Sequence, residues 1–139
     1  MEEKRMNKEE LLELVKSIDI DSNEFTVLSS GALVLRGIFD NAGDLDIAVT
    51  EKGLQELREH YDLTEKNGMG GIWYVVSDKV ECVLDDMNGK RELLDGFYLQ
   101  DINDYLNYLK SSDRDKDKAR IPIVEQYIEN RKKQGKGLV

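Results

Sequence analysis

Val27-Leu28-Ser29-Ser30-Gly31-Ala32-Leu33-Val34-Leu35-Arg36-Gly37-Ile38, followed by Gly43-Asp44-Leu45-Asp46-Ile47-Ala48-Val49-Thr50, forms the middle of the chain's first half. It reads as a strand, a tight turn of small residues, a short helix, a loop and a second strand. The second strand opens with aspartates at i and i+2. Side chains alternate along a strand, so Asp44 and Asp46 share one face while Leu45, Ile47 and Val49 share the other. Two neighbouring carboxylates repel each other. A divalent cation would offset the repulsion, because hard cations take carboxylate oxygens. The plainer alternative is a polar outer face.

Two further features bear on that choice. The aspartate pair follows a turn from strand to helix, and such a turn presents free backbone N–H groups and the positive end of a helix, which suits phosphate. Ser29 and Ser30 add hydroxyls, and Gly31 leaves room for close backbone approach. Simple capping of the helix by Ser30 is the alternative there. A third carboxylate, Glu81, falls in the middle of Lys79-Val80-Glu81-Cys82-Val83-Leu84. An acid inside an apolar strand needs a partner if buried. A metal would serve, as would solvent or an ion pair with Lys79.

These residues resemble the nucleotidyltransferase fold, the superfamily that includes DNA polymerase β and the small antibiotic-modifying nucleotidyltransferases. The shared signature is a hydrophobic strand, Gly-[Gly/Ser], a short helix, Asp-x-Asp on the next strand, and a third acid on a later strand. Ser29-Ser30 stands at the Gly-[Gly/Ser] position, Asp44-Leu45-Asp46 matches the aspartate pair, and Glu81 takes the third acid position. The resemblance runs from about residue 25 to 85, and more weakly to about 130.

It implies that Asp44, Asp46 and Glu81 are catalytic and hold Mg2+ or Mn2+, and that Ser29, Ser30 and Gly31 cradle a nucleoside triphosphate. Arg114-Asp115-Lys116-Asp117 resembles an Arg-x-Lys-Asp run that opens a late helix in some small relatives, which would bring Lys116 to the triphosphate. The implied reaction is metal-dependent transfer of a nucleoside monophosphate to a hydroxyl of a small molecule or a protein. This chain differs from the pattern in three places. Serine replaces the first glycine, Phe39-Asp40-Asn41-Ala42 before the aspartates carries no basic residue, and the third acid is glutamate. The alternative that the resemblance offers is a catalytically degenerate binding module, of the kind found in toxin–antitoxin or phage-defence pairs.

Composition narrows the partners. The chain has 139 residues and a formal net charge of −9. That balance argues against nucleic acid as a partner, since phosphate-backbone binding needs clustered Lys and Arg. Basic residues outnumber acidic ones only from Lys110 onward. One cysteine, Cys82, excludes an internal disulfide and fits a reducing compartment. It reads as a packed small hydrophobe. No apolar run has the length of a signal or membrane segment, so the expected location is cytoplasmic. His60, the single histidine, falls at a helix end, where it suits the dipole. Trp73 and Tyr74 read as sheet packing.

Taken in order, Asn7 with Glu10 forms a capping box ahead of an amphipathic helix over 8–18. Phe25–Leu28 reads as a strand, and Gly31 as the start of a helix buried on several sides. A loop over 39–43 precedes the acidic strand 44–49. Thr50 caps a helix over 51–61, and Leu63 is a candidate start for a short strand. Asn67-Gly68-Met69-Gly70-Gly71 reads as a turn, and 72–76 with 79–84 as a hairpin. Residues 85–95 read as a polar loop, 97–99 as a strand. Asp101 or Asn103 is expected to cap one late helix, and Asp113 or Asp115 the last. Pro122 restricts that helix. Mixed strands with helices predict an α+β, or two-layer α/β, fold: one domain over 1–139 with its core at about 25–85 and C-terminal helices at about 101–133.

Overall fold

The computed structural model describes residues 5–68, 71–85 and 89–137. Among them the fold is α+β, a mixed sheet packed against helices. The order is β1 (Met6–Asn7), α1 (Lys8–Ser17), β2 (Phe25–Val27), α2 (Ser29–Leu35), β3 (Asn41–Ala42), β4 (Leu45–Val49), α3 (Glu51–His60), β5 (Thr64–Gly68), β6 (Gly71–Val75), β7 (Val80–Leu84), β8 (Arg91–Leu94), β9 (Phe97–Gln100), α4 (Ile102–Ser111) and α5 (Asp115–Gly137). The chain divides into two compact units, Met1–Gln100 and Asp101–Val139.

The first unit holds a seven-stranded sheet in the order β5-β6-β7-β4-β2-β9-β8. At its centre β2 runs antiparallel to β4, and β4 runs parallel to β7. Parallel neighbours need a long crossover, which α3, β5 and β6 supply. Apolar alternation sets which face is covered. Leu45, Ile47 and Val49 of β4 and Val80 and Cys82 of β7 are buried with Leu11 and Val15 of α1, Ala32, Val34 and Leu35 of α2, and Leu54 and Leu57 of α3. The alternate residues, Asp46 and Glu81 among them, therefore lie on the opposite face.

Helix starts follow the expected chemistry. Asn7 accepts from the Glu10 N–H while the Glu10 side chain takes the Asn7 N–H. Thr50 accepts from the Gly53 N–H, and Asp101 from the N–H groups of Asn103 and Asp104. Each such cap satisfies a donor that the helix cannot, for about 1 kcal/mol.

Four expectations change. α2 begins at Ser29, two residues before Gly31. The loop before the aspartates contains β3, which pairs with β1. The region read as a polar loop contains β8, joined to β9 across Asp95-Gly96. Both turn residues have positive φ, +54° and +87°. That is the conformation of a two-residue turn whose twist matches the flanking strands. α5 begins at Asp115, placing that residue inside the first turn, and Pro122 lies well inside the helix. Within the turn expected over 67–71, Met69 and Gly70 lie outside the described residues.

In the second unit α4 packs on α5. Ile102, Tyr105, Leu109 and Val124 are buried.

Candidate functional site

The acid row comes from register. In the parallel β4–β7 ladder Asp46 is the partner of Glu81, and Ile47 the partner of Cys82. Neighbours in register point the same way, so burial of Ile47 and Cys82 in the core turns Asp46 and Glu81 together onto the other face. Asp44 sits exposed at the entry to β4. The Glu81 side chain is only 19% exposed. Asp46 also adjoins the β2–α2 turn, because the Leu28 N–H donates to the Asp46 carbonyl at 2.9 Å. The structure thus brings Asp46, Glu81 and the start of α2 together, with Asp44 at the rim.

The partner taken by Glu81 is Lys66 of β5. The Lys66 ammonium donates to Glu81 Oε2 at 2.9 Å and ion-pairs with Oε1. The hydrogen bond and charge of Glu81 hold the ammonium above the ordinary lysine range, and the charges of Asp46 and Asp44 push the same way. Lys66 was not legible as a site residue. A short strand was expected from Leu63, and β5 begins one residue later at Thr64. Thr64-Glu65-Lys66-Asn67 has no apolar alternation, so nothing in it shows which side chain faces Glu81. Lys79, the partner considered from sequence, lines a separate hollow with Met6, Glu10, Glu13 and Leu14.

The donor chemistry here fits a hard cation: carboxylate oxygens already gather around a positive charge, the Lys66 ammonium. Among the described residues, no three His, Cys, Asp or Glu side chains are clustered as ligands.

The turn is more occupied than its sequence suggests. Leu28 is the N-cap of α2 and, among the described residues, no side chain caps the helix, so Ser30 does not take that part. Ser29 has φ +49°. This is the left-handed region, which glycine enters freely and serine does not. The turn into α2 thus takes a glycine-like backbone, and a strained serine supplies it. The Ser29 N–H donates to Gln100 Oε1 at 3.1 Å. Gly31 is packed into the core. A Cβ there would lie 3.2 Å from Leu45 Cδ1 and Val27 Cγ1.

Behind the turn lies a residue that sequence reading missed. The Arg36 side chain is 1% exposed, ion-paired to Glu92 at 3.4 Å, and donates to the Gln100 carbonyl at 2.8 Å. Among the described residues its Nε and Nη1 have no hydrogen-bond partner. The available signal was a lone charge within the apolar run Ala32–Ile38. Arg36 fixes the backbone of Gln100, whose side chain holds Ser29.

Lys116 lies in the second unit, exposed on the first turn of α5. The run around it has a structural role. Asp117 is 1% exposed, accepts from Ser112 Oγ at 2.7 Å, and ion-pairs with Arg114 Nε at 3.0 Å. It thereby ties the α4–α5 connection to the start of α5. Tyr105 accepts from Arg120 at 2.9 Å, and burial pushes its hydroxyl up. His60 ends α3 with Nδ1 3.3 Å from Asp19 Oδ2. Tyr74 packs on the core with Arg58 over its ring. Cys82 is fully buried, and burial pushes its thiol up to about 11. Among the described residues no helix is long and apolar enough to cross a membrane. Set beside known proteins, the chain matches no protein-family model, no curated protein and no solved structure.

Proposed function

We propose that the chain is a nucleotidyltransferase-type protein that transfers a nucleoside monophosphate from a nucleoside triphosphate to a hydroxyl of a small molecule or a protein. The observation carrying the reading is the register of Asp46 against Glu81 on parallel strands, with Asp44 two residues upstream and the small-residue turn alongside. Asp44, Asp46 and Glu81 would hold Mg2+ or Mn2+. Bound there, the ion would neutralise phosphate charge and activate the acceptor hydroxyl. The chain's own contribution is positional. The parallel ladder fixes the spacing of two acids, and the apolar face beneath keeps both turned outward. Ser29 and Ser30 would meet the triphosphate at the turn, with Gln100 yielding the Ser29 N–H. The charge of −9 supports an acceptor other than nucleic acid.

A second reading has its own support. Glu81 is engaged by Lys66 and the Ser29 N–H by Gln100, so both halves of the site have internal partners. That favours a degenerate module that binds a partner or nucleotide without turnover.

The experiment separating them incubates the protein with Mg2+, each radiolabelled nucleoside triphosphate and candidate acceptor pools, and measures pyrophosphate and labelled product. Pyrophosphate release that Asp46→Asn abolishes supports transfer. Nucleotide binding with no pyrophosphate across all acceptor pools supports the binding module instead.

A further inference from the structure

Lysine on an edge strand ordinarily points to water, where its charge discourages pairing with another chain's edge. β5 is such an edge, and all five of its residues are exposed. Lys66 departs from that pattern. Its register partner on β6 is Trp73, whereas Glu81 on β7 is the register partner of Val75. The Lys66 stem therefore passes over β6, two residues along from its own register partner, to reach an acid two strands away. Adjacent strands lie about 4.8 Å apart, so this takes most of the length of the side chain. A lysine loses more rotamer freedom than almost any side chain when it is held extended. The attraction of Glu81, with Asp46 and Asp44 behind it, is what the geometry offers in return.

We infer that Lys66 is a tethered counter-cation for the acid row, and that it and a divalent cation exclude each other there. The inference rests on the nucleotidyltransferase reading of the same residues and adds to it a built-in competitor. With Lys66 in place, the Glu81 carboxylate that a divalent cation would need is already paired with an ammonium of the chain itself, which also partly offsets the charge of Asp46 and Asp44. A divalent cation enters only as Lys66 withdraws. Withdrawal is sterically simple, because the lysine comes from a solvent-exposed edge and its side chain remains 52% exposed. The site is thus held closed until a ligand of sufficient positive charge arrives.

The test is Mn2+ binding to the full chain without nucleotide, followed by the loss of the free-ion electron paramagnetic resonance signal. The variants are wild type, Lys66→Met, Lys66→Arg and the double variant Lys66→Met/Glu81→Gln. Mutual exclusion gives Lys66→Met an affinity about tenfold above wild type, the scale of an ordinary coupling between two ligands of one site. Lys66→Arg stays near wild type, because the cation is retained. The double variant loses the gain. Equal affinity of wild type and Lys66→Met overturns the competitor while leaving the metal reading standing, as does a gain that survives Glu81→Gln. Absence of Mn2+ binding in every variant overturns both. A second measurement is independent of any substitution. The Lys66 side-chain ammonium signal in nuclear magnetic resonance of the wild type moves toward that of a free lysine as Mg2+ is added. A signal unchanged at Mg2+ concentrations that saturate the site contradicts the inference.

Discussion

Replacing Ser29 by glycine should stabilise the protein, and replacing Ser30 by glycine should destabilise it. The two serines are adjacent in sequence and both belong to α2, but only Ser29 has positive φ, +49°. A left-handed backbone costs an L-residue about 1–2 kcal/mol. Glycine removes that strain and returns about 0.5–1 kcal/mol through its freer unfolded chain. The expected net gain for Ser29→Gly is therefore about 0.5–1 kcal/mol. Ser30 has no such strain, so Ser30→Gly carries only the propensity loss, about 0.5 kcal/mol. Ser29→Val places a β-branched residue at positive φ and should lose about 1 kcal/mol or more. Urea unfolding followed by fluorescence reads these differences in the relevant unit, because Trp73 is the only tryptophan and belongs to β6 of that unit. Midpoints should order Ser29→Gly, wild type, Ser30→Gly, Ser29→Val. A loss of stability in Ser29→Gly equal to that in Ser30→Gly would refute the strained-turn argument.

Two more perturbations address the sheet around the site. Gly96 has φ +87°, and a methyl group added to its Cα would meet nothing within 4 Å. Gly96→Ala therefore carries conformational strain alone and should lower unfolding free energy by about 1 kcal/mol in a urea titration. The Cys82 thiol, pushed up to about 11 by burial, should resist Ellman's reagent at pH 8 until the protein unfolds. The native state keeps that proton after the unfolded chain has lost it. Its contribution to stability is therefore full below the ordinary thiol range and falls as pH climbs toward 11. Urea midpoints across that range should decline less steeply in Cys82→Val.

Much of the architecture could be read from local chemistry. Asn7, Thr50 and Asp101 cap helices because short polar side chains reach the orphan N–H groups whatever the tertiary context. The alternation in Leu45–Val49 shows its two faces directly, and the apolar run from Gly31 to Leu35 is buried throughout. β8 escaped because Arg91-Glu92 looks polar, although Asp95-Gly96 between Leu93-Leu94 and Phe97-Tyr98 carries a hairpin signal. The site was legible to the extent that it depends on period and spacing, which put Asp46 and Glu81 on their strands. The link between them is a register, set by long-range pairing. Lys66 reaches Glu81 across an intervening strand, Gln100 reaches Ser29 from the far end of the unit, and Arg36 is held from β8 and β9. No local pattern encodes such contacts.

Thermal unfolding of the full chain shows whether a metal–nucleotide complex binds on the Asp44, Asp46 and Glu81 row. Wild type and Asp46→Asn are compared with and without Mg2+ and saturating nucleoside triphosphate. Ligand at a hundredfold excess over its dissociation constant stabilises the native state by about 2.7 kcal/mol. Binding there gives a rise of several degrees in wild type and none in Asp46→Asn, whose unliganded melting temperature matches or exceeds that of wild type through relief of carboxylate repulsion. An equal rise in both proteins would place the nucleotide elsewhere and contradict the account.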